Sequence, residues 1–134
     1  MKLVIGGYAQ GKLCYVMQHF SIDKENVVDM ADEKKLLDRD IEKKDDEAPI
    51  VLYHFHIWVK NELAEGNHPE EKLEKILKHF PGCIILSDEI GNGIVPIDAF
   101  DREYRDRLGR ILISLAKEAV EVVRVICGIG QKIK

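Results

Sequence analysis

Short runs of apolar residues alternate along this chain with longer stretches in which apolar and polar residues mix at helical spacing. The clearest apolar runs are L-V-I at residues 3–5, I-V-L-Y at residues 50–53 and C-I-I-L at residues 83–86. Continuous apolar runs of this length are typical of strands buried on both faces of a parallel sheet. A weaker run at residues 26–30 predicts a further strand.

The stretches between these runs predict helices. Residues 12–20 form a short helix, and residues 69–80 form one that opens on proline and ends before P-G. Residues 97–120 predict a long helix whose apolar face is wider than one packing surface needs. The highly charged residues 31–47 carry a narrow apolar stripe, which favours an amphipathic surface helix. Residues 62–67 are predicted to form a turn.

The end of the chain has a different pattern. Residues 120–127 are rich in β-forming side chains, and Gly128 and Gly130 separate them from a final polar segment. Two β segments around glycines predict a hairpin that adds an antiparallel edge strand. Strands that alternate with helices predict an α/β fold with a mostly parallel sheet and helices on both faces. We expect residues 1–134 to form a single domain.

Composition and charge narrow the class of protein. The chain has 134 residues, of which 46% are hydrophobic and 33% charged, as in soluble globular proteins. Its net charge of −4 gives no electrostatic reason to bind nucleic acid or an anionic membrane. No membrane span or signal peptide is evident, so we expect a cytoplasmic protein. Cys14, Cys83 and Cys127 are predicted to be buried hydrophobic residues and not disulfide partners.

A phosphate-binding motif follows the first predicted strand. Residues 6–12 read G-G-Y-A-Q-G-K and match the pattern G-x-x-x-x-G-K, in which backbone N–H groups surround phosphate oxygens and the lysine contacts the outer phosphates. This motif predicts a P-loop NTPase-like fold, although a purely structural glycine-rich turn is the alternative. The residue after the lysine is leucine, where Ser or Thr would bind magnesium. The predicted nucleotide-binding residues are Gly6, Gly7, Tyr8, Ala9, Gln10, Gly11, Lys12 and Leu13.

Acidic residues that could act with this loop follow the strand at residues 83–86. Asp88 and Glu89 would either position magnesium or accept a hydroxyl proton, or they would only cap the following loop. The strand at residues 50–53 ends without an acid. His54 and His56 would share a strand face, but no carboxylate or cysteine nearby completes a metal site, so we predict hydrogen-bonded residues and no bound metal.

Three segments in the second half of the chain resemble one enzyme family. Residues 88–96, D-E-I-G-N-G-I-V-P, are similar to the segment N-E-V-G-x-G-I-V-P of the bifunctional adenosylcobinamide kinase and adenosylcobinamide-phosphate guanylyltransferase family of cobalamin biosynthesis. Residues 102–110 are similar to its R-x-F-R-D-x-x-G-R segment, and residues 127–134 to its S-G-x-x-x-K-x-K ending. The resemblance covers about half of the chain, with the glycine-rich loop included.

The middle of the chain departs from this family. The segment that normally contains H-x-x-x-R-P-x-x-W, with the histidine that becomes guanylylated, is replaced by the acidic residues 32–47, which include no histidine. Leu13 replaces a serine, Asp88 an asparagine and Leu112 an asparagine. No acid is found near Tyr53.

The resemblance implies a nucleotide, GTP or ATP, as the bound cofactor, whereas the departures make bound magnesium doubtful. It also implies a corrinoid, adenosylcobinamide, as a possible partner, and a homo-oligomer with a trimer favoured. Arg105 or Arg110 would stabilise the binding region. Two hypotheses follow: an active adenosylcobinamide kinase, or a shortened relative that keeps the fold but has lost guanylyl transfer and retains weak kinase activity or none.

Overall fold

The computed structural model describes residues 1–32, 49–91 and 93–134, and within these ranges it contains six strands and four α-helices. The strands are β1 (Lys2–Gly6), β2 (Val27–Asp29), β3 (Val51–Tyr53), β4 (Ile84–Asp88), β5 (Glu121–Ile126) and β6 (Ile129–Lys132). The helices are α1 (Lys12–His19), α2 (Phe55–Ala64), α3 (Pro69–His79) and α4 (Ala99–Glu118). A 3₁₀ turn, Lys24–Asn26, precedes β2.

The strands form one sheet in the order β2-β3-β4-β1-β5-β6. Neighbouring strands from β2 to β5 are parallel, and β6 pairs antiparallel with β5. Gly6, at the end of β1, lies opposite Asp88, at the end of β4. The predicted α/β, P-loop NTPase-like fold with a C-terminal hairpin is therefore confirmed. The sheet brings the residue that opens the glycine-rich loop next to the strand-end acid.

Each interior strand buries side chains on both faces of the sheet. Leu3 and Ile85 belong to one core cluster, with α2, α3 and α4, whereas Val4 and Ile84 belong to a second cluster, with α1. Successive side chains of a strand point to opposite faces, so the continuous apolar runs of β1 and β4 supply both clusters. Helices cover both faces of the sheet, as predicted.

The helix α2 was not predicted. Its buried residues Phe55, Trp58, Val59 and Glu62 recur at helical spacing and face the first core cluster. Aromatic and β-branched residues gave this stretch the appearance of a strand, and the carboxylate at a core position hid the helical period. Glu62 is 1% exposed and pairs with Lys72 of α3 at 2.7 Å. The predicted turn at residues 62–67 begins too early, because the helix continues to Ala64.

Two of the three cysteines are exposed, which corrects the prediction that all are buried. Cys14 lies on α1 and Cys127 in the hairpin turn, and both thiols reach solvent. Cys83 is buried as predicted, and burial raises the pKa of its thiol to about 11. The charged helix predicted at residues 31–47 falls almost wholly outside the described residues. Among those residues, no helix has both the length and the apolar character needed to cross a membrane.

We predict opposite stability effects for alanine at two glycines. A Cβ at Gly6 would clash with the carbonyl oxygen of Val125, so Gly6→Ala must displace β5 or the loop. Overpacking of this kind typically destabilises by about 1–3 kcal/mol. Gly109, inside α4, has open space at its Cβ position, and Gly109→Ala should stabilise by up to about 1 kcal/mol. Urea unfolding of both variants measures these changes, and equal midpoints would contradict the proposed contact at Gly6.

Candidate functional site

The glycine-rich loop connects the central strand β1 to the start of α1. Gly11 adopts a left-handed conformation (φ 80°) at the N-cap of α1, and Ala9 also has a positive φ of 56°. Such backbone conformations turn successive N–H groups toward one side and favour an anion there. The loop therefore has the backbone shape that the sequence motif predicts.

The side chain of Lys12 is buried beneath this loop. It is 6% exposed, and its Nζ donates to the carbonyl oxygens of Gly7 at 2.8 Å and Gly6 at 3.3 Å. The same Nζ forms an ion pair with Asp88 Oδ1 at 2.5 Å. A buried ammonium group is stable only with such partners. Asp88 is thus the carboxylate that balances the lysine of the loop.

His56, in the first turn of α2, contacts the other side of Asp88. Its Nδ1 accepts from the backbone N–H of Asp88 at 3.1 Å, and its Nε2 lies 3.5 Å from Asp88 Oδ2. Burial lowers the pKa of His56, although the Asp88 carboxylate acts in the opposite direction. Because Nδ1 accepts, the neutral ring carries its proton on Nε2, toward Asp88. The hydroxyl of Tyr104 donates to the His56 carbonyl at 2.7 Å and ties α2 to α4.

His54 lies at the start of α2, directly after β3, and is held on two sides. Its backbone is left-handed (φ 56°) at the N-cap of the helix. Its Nδ1 is 2.9 Å from Asp29 Oδ1 on the neighbouring strand, and its ring stacks on Tyr53 with 3.6 Å between centroids. Asp29 Oδ1 also accepts from the backbone N–H of Ala31 at 3.0 Å. The imidazole is therefore fixed through Nδ1.

A cavity of about 430 Å³ joins these groups. Its walls are the loop, the first turn of α1, the end of β3 and the first turn of α2. The residues that line it are Tyr8, Ala9, Gln10, Gly11, Lys12, Leu13, Cys14, Tyr53, His54, His56, Ile57 and Asp88. It is lined by the predicted loop residues 8–13, but not by Gly6 or Gly7, and by the two histidines, which the sequence did not connect with the loop.

The remaining predicted site residues lie elsewhere. Glu89 is not among the residues lining the cavity, and its carboxylate pairs with Arg124 of β5 at 2.9 Å. Arg105 donates to the carbonyl oxygens of Gly91 and Ile94 and so holds the loop before α4. Arg110 pairs with Asp106 and lines a separate cavity between α3 and α4. The described structure thus brings Asp88, but not these three side chains, next to Lys12.

The donor set at the cavity does not suit magnesium. Leu13 offers no oxygen, and β3 ends in Tyr53, whose pKa is raised chiefly by burial and further by the Asp88 and Asp29 carboxylates. Among the described residues that line the cavity, Asp88 is the one with a carboxylate, and it already pairs with Lys12. Across the described part of the chain, no group of three or more His, Cys, Asp and Glu residues is placed to hold a metal ion. Magnesium normally needs carboxylate or hydroxyl oxygens in such a site.

The turn of the C-terminal hairpin is hydrogen-bonded to the glycine-rich loop. Gln10 accepts twice from the hairpin turn, through its side-chain oxygen from Cys127 N–H at 2.7 Å and through its carbonyl from Gly128 N–H at 2.9 Å. A Cβ at Gly11 would lie 3.3 Å from the Cα of Gly128. The hairpin therefore fixes the position of the loop that lines the cavity.

Comparison with known proteins places the chain in a family. Residues 16–133 match the family model described as cobinamide kinase / cobinamide phosphate guanyltransferase. The bifunctional adenosylcobalamin biosynthesis proteins CobU of Escherichia coli (strain K12) and Salmonella typhimurium are each 45% identical to this chain over 51 residues. These matches span 38% of this chain and 28% of each relative. The family match covers most of the sequence, so the chain belongs to the cobinamide kinase / cobinamide phosphate guanyltransferase family.

Proposed function

We propose that this chain binds a nucleoside triphosphate, GTP or ATP, in the cavity beside the glycine-rich loop. The observation that carries this proposal is the position of Lys12, which lines the cavity and is buried under the loop, with its Nζ bound by the Gly6 and Gly7 carbonyls and by Asp88. Without a ligand, Asp88 balances the ammonium group. A triphosphate carries more negative charge than one carboxylate, so it competes with Asp88 for Nζ.

The ends of two helices add to this attraction for anions. The first residue of α1, Lys12, lines the cavity, and so does the N-cap residue of α2, His54. Unpaired N–H groups at a helix N-terminus carry partial positive charge and favour phosphate oxygens. The loop, the lysine and the two helix ends together provide a cradle for phosphates.

We further propose that the chain acts in cobalamin biosynthesis but has lost guanylyl transfer and retains weak kinase activity or none. Family membership supports the pathway. The family that the sequence resembles has a histidine that accepts the guanylyl group in this part of the chain. Residues 32–47 contain no histidine. Leu13 and Tyr53 replace the oxygen ligands that hold magnesium in phosphoryl transfer. Recognition of adenosylcobinamide remains part of this proposal.

An active adenosylcobinamide kinase is the second candidate, and the position of Asp88 favours it. This carboxylate lies at the cavity wall, where it could accept the proton of an attacking hydroxyl once a nucleotide has displaced it from Lys12. Glu89 is held by Arg124 and is the weaker choice for this role. The two candidates differ in turnover and not in nucleotide binding.

Lys12→Ala should weaken binding of GTP and ATP by about 1.5–3 kcal/mol, because it removes a charge-assisted contact. Isothermal titration calorimetry measures the affinity, and Lys75→Ala, which removes an exposed lysine on α3, is the control. In the same experiment, Asp88→Asn should tighten binding, since it removes the carboxylate that competes with the phosphates. Equal affinity of wild type and Lys12→Ala, with both proteins folded by circular dichroism, would exclude the loop as the binding site.

We expect no covalent guanylylation and at most slow phosphorylation of adenosylcobinamide. The protein is incubated with GTP labelled on the α-phosphate, and separately with adenosylcobinamide, magnesium and either GTP or ATP. An acid-labile, base-stable label on the protein would contradict the loss of guanylyl transfer. Turnover of several per second, within the usual range of kinases, and abolished in Asp88→Asn, would favour the second candidate.

A homo-oligomer, with a trimer favoured, is the assembly that we propose. Helix α4 buries Leu108 and Ile111 in the core and packs Leu112 partly against it, while Ile113 on the same helix is 58% exposed. Ile113→Asp should therefore dissociate the assembly without unfolding the chain, whereas Leu112→Asp should unfold it. Light scattering at micromolar concentration measures the mass, and a monomeric wild-type protein would contradict the proposal.

A further inference from the structure

We propose that His54, in its protonated form and oriented by Asp29, is a second cationic contact for the triphosphate and takes the place of a bound magnesium ion. This inference rests on the proposed nucleotide binding and concerns how the same cavity neutralises phosphate charge. Phosphoryl transfer normally uses a bound magnesium ion, whereas Leu13 and Tyr53 offer neither a carboxylate nor an aliphatic hydroxyl to bind one.

The charge of a triphosphate would not be balanced in this cavity by Lys12 alone. A triphosphate needs more positive charge than one lysine supplies, and phosphate-loop proteins normally add a metal ion held by side-chain oxygens. At the two corresponding positions this chain has Leu13 and Tyr53, which offer no carboxylate or aliphatic hydroxyl. A further cation must therefore come from elsewhere on the cavity wall.

His54 is placed to contact a ligand in this cavity. It follows Tyr53 directly, so it stands at the carboxyl end of β3, where parallel-sheet proteins place groups that act on a ligand. It lines the same cavity as Lys12, with 29% of its side chain exposed. The Asp29 carboxylate 2.9 Å away holds Nδ1, which leaves Nε2 available to a ligand.

The imidazole ring of His54 has a fixed orientation. Asp29 is itself anchored by the N–H of Ala31, and the face of the imidazole rests on Tyr53. A non-glycine residue with φ of 56° is uncommon and persists where the surroundings over-determine it. The pair thus presents a positioned donor to an anion.

The remaining titratable groups around the ring do not offer the same contact. His56 lies 6.0 Å from His54 between ring centroids, but it is directed at Asp88, and burial lowers its pKa. The titratable groups next to His54 are Asp29 on β2, Tyr53 on β3 and His56 on α2. Those that share the cavity with it are Tyr8 in the loop, Lys12 and Cys14 on α1, and Asp88 on β4. Histidine is the side chain that gains its charge between pH 8 and pH 5, so the contact strengthens as the pH falls.

Calorimetry of GTP binding with EDTA present, at pH 6 and pH 8, tests this inference. The main variant is His54→Asn, because asparagine tolerates the left-handed backbone and carries no charge. His79→Asn, at an exposed position that ends α3, is the matched control. We expect wild type and His79→Asn to bind GTP in EDTA. On going from pH 8 to pH 6, their affinity for GTP should rise about tenfold more than the affinity of His54→Asn, because that variant lacks one charged contact.

The GTP terminal phosphate also titrates in this range, but it does so equally for every variant, so only the difference between variants is interpreted. An unchanged affinity and pH dependence in His54→Asn, with Lys12→Ala still weakened, would overturn this inference and leave the proposed function intact. Wild-type binding that disappears in EDTA would also overturn it. Equal binding by Lys12→Ala and wild type would overturn both. Asp29→Asn, which loosens the ring without touching its backbone, should lose the gain at pH 6 and serves if His54→Asn does not fold.

Discussion

The buried contact between Lys12 and Asp88 is the interaction on which the arrangement of the site depends. An ammonium group that is 6% exposed has lost most of its hydration, so it must be balanced by a carboxylate and by hydrogen-bond acceptors close at hand. The carboxylate comes from the end of β4 and the acceptors from the carbonyls at the end of β1. These groups meet because β1 and β4 are parallel neighbours with Gly6 opposite Asp88.

The same contact ties both faces of the sheet to the cavity. Lys12 is the first residue of α1, which packs on one face, and Asp88 binds His56 of α2, which packs on the other. A shift of either helix would therefore change the surroundings of the buried charge. On the far side of β1, the absence of a side chain at Gly6 lets β5 approach, and the hairpin turn holds Gln10.

Much of the fold could be predicted from the sequence because the strands are buried on both faces and appear as continuous apolar runs. The loop and Lys12 could be predicted because their motif is local. Helix α2 could not, because Glu62 occupies a core position that Lys72 neutralises from another helix. The roles of His54 and His56 depend on which strands become neighbours: Asp29 and Asp88 are distant in sequence from both. No local pattern contains that information.

The charges around the cavity determine what an anion would meet there. On the cavity wall, the charges of Lys12 and Asp88 cancel each other. When an anion takes over the ammonium group, Asp88 is left beside the phosphates and repels them unless another positive group is near. In phosphate-loop proteins a metal ion usually supplies that positive charge. With Leu13 and Tyr53 on the wall, the groups described there that would meet a phosphate are the helix ends and the proposed contact from His54, whose Nδ1 the Asp29 carboxylate holds from the neighbouring strand.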